Sequence, residues 1–270
     1  MTSVEAARPA SPGRVMYVFP ERIVIENFKS IRRLELRPAP GVNLLVGPNA
    51  SGKTNILEAV YFFLRALSRE ELLKIPYMPY LPYYWRPSHV FYMMDTDKPL
   101  GFGMDLRLAV GLNGKTYVGR AKYRINFIYE GGLIRPNYAE LRSEASRAVV
   151  EGNTVTCTVS AEAVERAGLA SMLKKFQKRD GEYRATFRTR SPFRWRITDL
   201  TPFMALGRGS LLLYTSWSAA CLIPLRKEEE GAYGFPLLDF VNLIGSVADN
   251  VVFLKHPDLG AIAPLDSYLM

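Results

Sequence analysis

Eight residues, Gly47-Pro48-Asn49-Ala50-Ser51-Gly52-Lys53-Thr54, constrain what this chain can fold into more than any other stretch. They meet the spacing G-x-x-x-x-G-K-[ST], and each fixed position has a mechanical task. Gly47 and Gly52 let backbone amides curl around phosphate oxygens that a side chain would exclude. A helix opening at Lys53 adds free amides and its positive end to the same anion site. Lys53, the catalytic candidate, is placed to reach the β and γ phosphates, and the Thr54 hydroxyl to ligate Mg²⁺. The loop therefore predicts a site for a purine nucleotide, ATP with Mg²⁺, and requires a strand before it and a helix after it.

Both flanks are readable. Arg22 to Phe28 alternates apolar and polar residues, Ile31 to Leu36 does so again, and Val42 to Val46 is a short apolar run between turn residues. These predict three strands. Beyond the loop, Ile56, Leu57, Val60, Leu64 and Leu67 mark one face of a helix over Lys53 to Leu67.

The composition then changes. Pro76, Pro79 and Pro82 recur every third residue among Tyr77, Tyr80, Tyr83, Tyr84 and Trp85, a period that fits polyproline II. The arm can dock a partner or stack on bases, and it can equally pack over its own domain. Phe102 to Val110 and Thr116 to Ile128 alternate around Asn113-Gly114, a strong hairpin signal. A second hairpin is predicted at Gly152-Asn153, and Ser160 caps a predicted helix running to about Lys178. Antiparallel sheet plus a helix is thus expected in the middle of the chain. No heptad pattern is sustained, which excludes a long coiled coil.

Bulk properties narrow the class. At 270 residues with 48% hydrophobic composition, the chain can bury a sizeable core. Its formal charge of +9 points to an anionic partner. Two cysteines and two histidines argue against a disulfide framework or a zinc site. The first fifteen residues lack the apolar stretch of a secretory signal, and Leu211 to Leu225 falls short of a bilayer span. A mobile tail over 1–15 and a cytoplasmic location are the expectations.

The segment Ile25-Glu26-Asn27-Phe28-Lys29-Ser30-Ile31, followed by Val42 to Asn55, resembles the N-terminus of the RecF, SMC and OLD-type ATPases. It is most similar to the OLD-like branch of AAA-family ATPases, whose ABC-type heads lack long coiled coils. Close likeness covers residues 22 to 67. The resemblance implies an α/β fold: the N-terminal lobe of an ABC-type P-loop head, with a mixed sheet around the loop helix and an antiparallel β subdomain. It also implies a DNA-repair setting, Lys29 and Ser30 beside the nucleotide, Asn49 at the γ phosphate, Thr54 on the metal, and Pro48, Ala50, Ser51 and Asn55 in the binding loop. For Lys29 and Ser30 an exposed turn between two strands is the competing reading.

Two motifs of such heads are missing. No Asp-Glu pair ends an apolar strand anywhere in the chain. Leu206-Gly207-Arg208-Gly209-Ser210 lacks the serine-glycine order of a signature motif and reads as a loop. Gln177, the only glutamine, falls in the predicted basic helix. The expectation is a nucleotide-binding lobe over 16–145 and an α+β part over 146–270, completed by a truncated or separately encoded C-terminal half. Hydrolysis is expected only with that half or a dimer partner.

Between Ser171 and Arg196 lie nine basic residues against two acids, a net +7. Arg184, Arg188, Arg190, Arg194 and Arg196 share even numbering, so an extended strand turns them to one face and Tyr183, Phe187, Phe193 and Trp195 to the other. Such a stripe suits the phosphate backbone of DNA or RNA. A solvated face is the bland alternative. Two functions therefore compete: an ATP-driven half-head acting on nucleic acid, and a non-hydrolysing nucleotide sensor or assembly subunit that binds protein partners.

Overall fold

The computed structural model describes residues 15–68, 87–112, 115–188, 203–208, 210–214, 220–228 and 235–236. The proline arm, the Asn113-Gly114 turn itself, Arg190, Arg194, Arg196 and the apolar run at 251–254 lie outside them.

Strands β1 (Val15–Phe28) and β2 (Ile31–Leu36) form a hairpin, with Phe28 opposite Ile31. Helix α1 (Lys53–Ser68) follows the glycine loop. Then come β3 (Leu100–Leu112), β4 (Lys115–Glu130), β5 (Leu133–Arg142), β6 (Ser146–Glu151) and β7 (Thr154–Ser160), each antiparallel to the last. Both predicted hairpins are present: Leu112 faces Lys115 and Glu151 faces Thr154. Helix α2 (Ala161–Ala167) leads to β8 (Gln177–Arg179) and β9 (Glu182–Arg188). A smaller sheet holds β10 (Phe203–Gly207), β11 (Ser210–Tyr214) and β12 (Ala220–Pro224), and β13 (Arg226–Glu228) and β14 (Phe235–Pro236) rejoin the large sheet. The large sheet runs β14-β1-β3-β4-β5-β6-β7-β9-β8, with β2 and β13 off this path. It passes unbroken through the 145/146 boundary.

Every strand pairing among the described residues is antiparallel, so the expected mixed sheet is replaced there by an antiparallel one. The predicted strand at Val42 to Val46 does not form. Asn43 accepts from the Ala39 amide at 2.8 Å and donates to the Ala39 and Gly41 carbonyls at 2.9 and 3.2 Å, so its side chain folds the chain into a local turn. Val42, Leu44 and Val46 stand 89, 82 and 90% exposed.

α1 lies on the inner sheet face, and its buried side differs from the one read from periodicity. Ala59, Phe62 and Phe63 are buried, with Ile56 and Val60 packed beside them, while Leu57 is 48% exposed. Aromatic contact decides the rotation. Phe63 stacks on Phe102 with centroids 4.7 Å apart and meets Phe127 at 5.7 Å and Phe28 at 6.1 Å.

The helix predicted to reach Lys178 stops at Ala167. Ser160 caps it as expected, its hydroxyl accepting from the Ala163 amide at 3.3 Å. Gly168 ends it at φ 71°, a left-handed position where glycine avoids the Cβ penalty. Gln177 is therefore a strand residue. At Gly119 the returning chain crosses so closely that a Cβ would sit 2.9 Å from the Pro224 carbonyl oxygen. Leu206 and Gly207 close β10 opposite Leu211 and Ser210 of β11.

Both cysteines are buried and unbridged. Burial pushes the Cys221 thiol up to about 12, against the opposing effect of its hydrogen bond with the Ser146 hydroxyl at 3.2 Å. Native protein at pH 8 is expected to resist iodoacetamide at Cys221 and to be alkylated there once unfolded, as peptide mass spectrometry would read. Rapid native alkylation at Cys221 would contradict this packing.

Candidate nucleotide site

The loop from Gly47 to Thr54 is held open at the surface between the β1–β2 hairpin and α1. Ala50 at φ 63° and Gly52 at φ 89° are both left-handed, which bends the backbone into a concave turn. The Ser51 amide closes that turn on the Pro48 carbonyl at 3.3 Å. The first intrahelical bond runs from the Ile56 amide to the Gly52 carbonyl at 3.0 Å. The amides of Lys53, Thr54 and Asn55 thus precede the helical ladder and remain available as donors.

Lys53 spans the loop. Its ammonium donates to the Gly47 and Pro48 carbonyls at 2.7 and 2.6 Å and to the Ser51 hydroxyl at 3.2 Å. A cation is thereby centred over the concave backbone, flanked by helix-end amides. This arrangement favours an anion electrostatically. Thr54 is exposed at the first turn, and Asn49 lies in the exposed loop.

Ser30 and Asn55 come together beside it. The Asn55 side-chain Nδ2 donates to the Ser30 hydroxyl at 2.6 Å, and a Cβ at Gly52 would meet that hydroxyl oxygen at 3.6 Å. The β1–β2 turn is therefore fastened to the first turn of α1. Lys29, in the same turn, directs its charge inward. Its side chain is 6% exposed and its ammonium pairs with the Glu58 carboxylate, itself 5% exposed. The Lys29 amide also donates to the Val90 carbonyl at 2.8 Å. Its charge is committed to joining the turn to the helix interior.

Sequence reasoning passed over Glu58 and Asn27. Glu58 precedes Phe62 by four residues, which puts an acid on the buried helical face and is the signal that could have found it. Asn27 is left-handed at φ 60° and donates from its side chain to the Lys98 and Asp95 carbonyls at 2.7 and 3.3 Å.

A family model described as RecF/RecN/SMC N terminal domain matches residues 19–74, the stretch that contains the hairpin, the loop and α1. The chain has an SMC/RecF-like N-terminal segment. That segment is 58% identical over 41 residues to the DNA replication and repair protein RecF of Shewanella baltica, covering 15% of this chain and 11% of the relative. RecF of Desulforamulus reducens is 42% identical over 48 residues, 18% of this chain and 13% of that protein. RecF of Erwinia tasmaniensis is 55% identical over 40 residues, with 15 and 11% covered. Each match thus spans little more than a tenth of the relative's length. No solved structure matches the chain.

Of the basic stripe, β9 is described. Arg184, Thr186 and Arg188 face solvent, while Ala185 is buried and Tyr183 and Phe187 are half-buried, as the alternation predicted. Arg184 pairs with Glu182 at 2.9 Å and Lys178 pairs with Glu165. Among the described residues no helix is long and apolar enough to cross a membrane, and no cluster of three metal-ligating side chains occurs.

Proposed function

We propose that this chain is the ATP- and Mg²⁺-binding N-terminal half of an ABC-type ATPase of the RecF/SMC/OLD kind, acting on nucleic acid together with a complementing half. One observation carries the reading: the Lys53 ammonium sits over a concave loop of left-handed residues at the open end of α1. Gly47 to Asn55 hold the nucleotide, with Asn49 toward the γ phosphate and Ser30 beside the loop. The Thr54 hydroxyl fits Mg²⁺ as one oxygen ligand, since this ion typically takes its remaining ligands from phosphates, water and a carboxylate. Lys53 both binds and stabilises phosphate charge.

Support for a complementing half comes from Val42, Leu44 and Val46. They alternate along the chain just before the loop and present apolar side chains to solvent. A strand supplied by another segment would cover them and could bring the missing acid pair. The same exposed run favours the second reading, in which ATP only sets affinity for a protein partner.

Calorimetric titration with ATP and Mg²⁺ tests the site. Lys53→Ala is expected to weaken binding by about 10- to 100-fold, the worth of a charge-assisted contact of about 1.5–3 kcal/mol. Unchanged affinity would sink the assignment. Robust turnover by purified monomer, abolished by Lys53→Ala, would instead refute the need for a complementing half. Duplex DNA binding separates the two readings, since none at low or raised salt favours the protein-partner one.

A further inference from the structure

The strand register aligns side chains that are far apart in sequence. Arg22 faces Asp105, Asp105 faces Lys122, Lys122 faces Arg142, and Arg142 faces Arg147. Arg147 in turn faces Thr158, Thr158 faces Arg184, and Arg184 faces Gln177. Directly opposed residues share a sheet face. A single transverse row therefore crosses the large sheet on its outer side, and Lys122, Arg142, Arg147, Arg184 and Gln177 in it are exposed. At about 4.8 Å per strand, Lys122 and Arg184 are about 19 Å apart, roughly half a turn of duplex.

We propose that this row is the track on which a nucleic-acid backbone lies, a site that rests on the nucleic-acid reading above and gives it a location. Three observations carry it. First, folding does not account for the row. Lys122 opposes Arg142 and Arg142 opposes Arg147, and like charges in direct register destabilise a sheet. A line of phosphates would repay that cost. Second, acids on this face leave its centre cationic. Asp105 is taken by Arg22 at 3.0 Å, Glu140 by Arg147 at 2.6 Å and Glu182 by Arg184 at 2.9 Å, while among the described residues Lys122 joins no ion pair. These exposed pairs are individually weak and can open toward a phosphate. Third, a groove of about 220 Å³ lies at the β1–β5 end of the row. Its walls carry five cations, among them Arg22, Lys122 and Arg142, against the three acids Glu26, Asp105 and Glu140, and the missing side chain of Gly103 deepens it.

Polar Gln177 within the row can donate to phosphate oxygens without reading sequence. The track thus links Arg184 of the basic stripe to Arg147, Arg142 and Lys122, which lie well before it in sequence. Sequence-tolerant, salt-sensitive binding is the expected behaviour.

Anisotropy of a labelled 20-base-pair DNA duplex, titrated with the full chain across about 50–200 mM salt, tests the track. Each backbone contact contributes a slope of about −0.9 in log affinity against log salt. The pair Lys122→Gln and Arg142→Gln is expected to reduce the slope by nearly two units. Affinity at about 50 mM salt should fall about 100-fold, while stability stays level or rises slightly. Lys98→Gln with Arg166→Gln removes the same charge elsewhere and is expected to change affinity by less than about threefold. Equal weakening by both pairs, or no weakening by the first, overturns the track while nucleic-acid binding stands. No binding by the unmodified chain overturns the nucleic-acid reading and the track with it.

Discussion

Truncating Glu58 to alanine is expected to lower the unfolding free energy by about 3–5 kcal/mol, because it removes one member of a buried ion pair with the Lys29 ammonium. Lys29 and Glu58 are 6 and 5% exposed, so water cannot replace the lost carboxylate cheaply. For a chain of this size the melting temperature should drop by about 5–10 °C. Guanidinium unfolding of the single variant and of Lys29→Met combined with Glu58→Leu decides the matter. An apolar pair of similar volume should recover most of the loss, since it removes both charges together. If Glu58→Ala unfolds within about 0.5 kcal/mol of the parent, the pair is not buried in solution.

The second large effect belongs to Phe63. Replacing it with alanine is expected to cost about 3–5 kcal/mol, the sum of lost burial and an unfilled cavity. Phe63 is fully buried and touches the rings of Phe28, Phe62, Phe102 and Phe127. It therefore holds α1, and with it the glycine loop, against three strands. Leu57→Ala offers the contrast: at 48% exposure it should cost less than about 0.5 kcal/mol. Denaturant titrations of the two variants would rank them. A larger loss at Leu57 would restore the helix face that apolar spacing alone suggests.

That reversal shows where sequence reading succeeds and where it stops. Alternation and a tight turn are local signals, so β3 with β4 and β6 with β7 were legible from residues such as Gly152-Asn153. The glycine loop was legible for the same reason. Its strand was not, because Val42 to Val46 needs neighbours to pair with, and Asn43 satisfies the backbone in a competing turn. Helix α2 was overextended although Gly168 stood in the sequence as a stop; its left-handed φ ended the helix there. The Glu58 partner of Lys29 was not legible, because a motif position does not reveal which charge a side chain meets. The cationic row was invisible in sequence, since it exists only through the combined register of seven strand pairings.

Asn27 has one further consequence. It reaches the carbonyls of Asp95 and Lys98, its neighbour Phe28 bridges to Phe91, and Lys29 binds the Val90 carbonyl. Three successive residues of one turn thus grip the chain where it re-enters after 69–86, while Ser30 and Lys29 grip α1 before it departs. The described segments on either side of 69–86 thus converge on one short turn, and that turn couples the position of the glycine loop to the approach into β3.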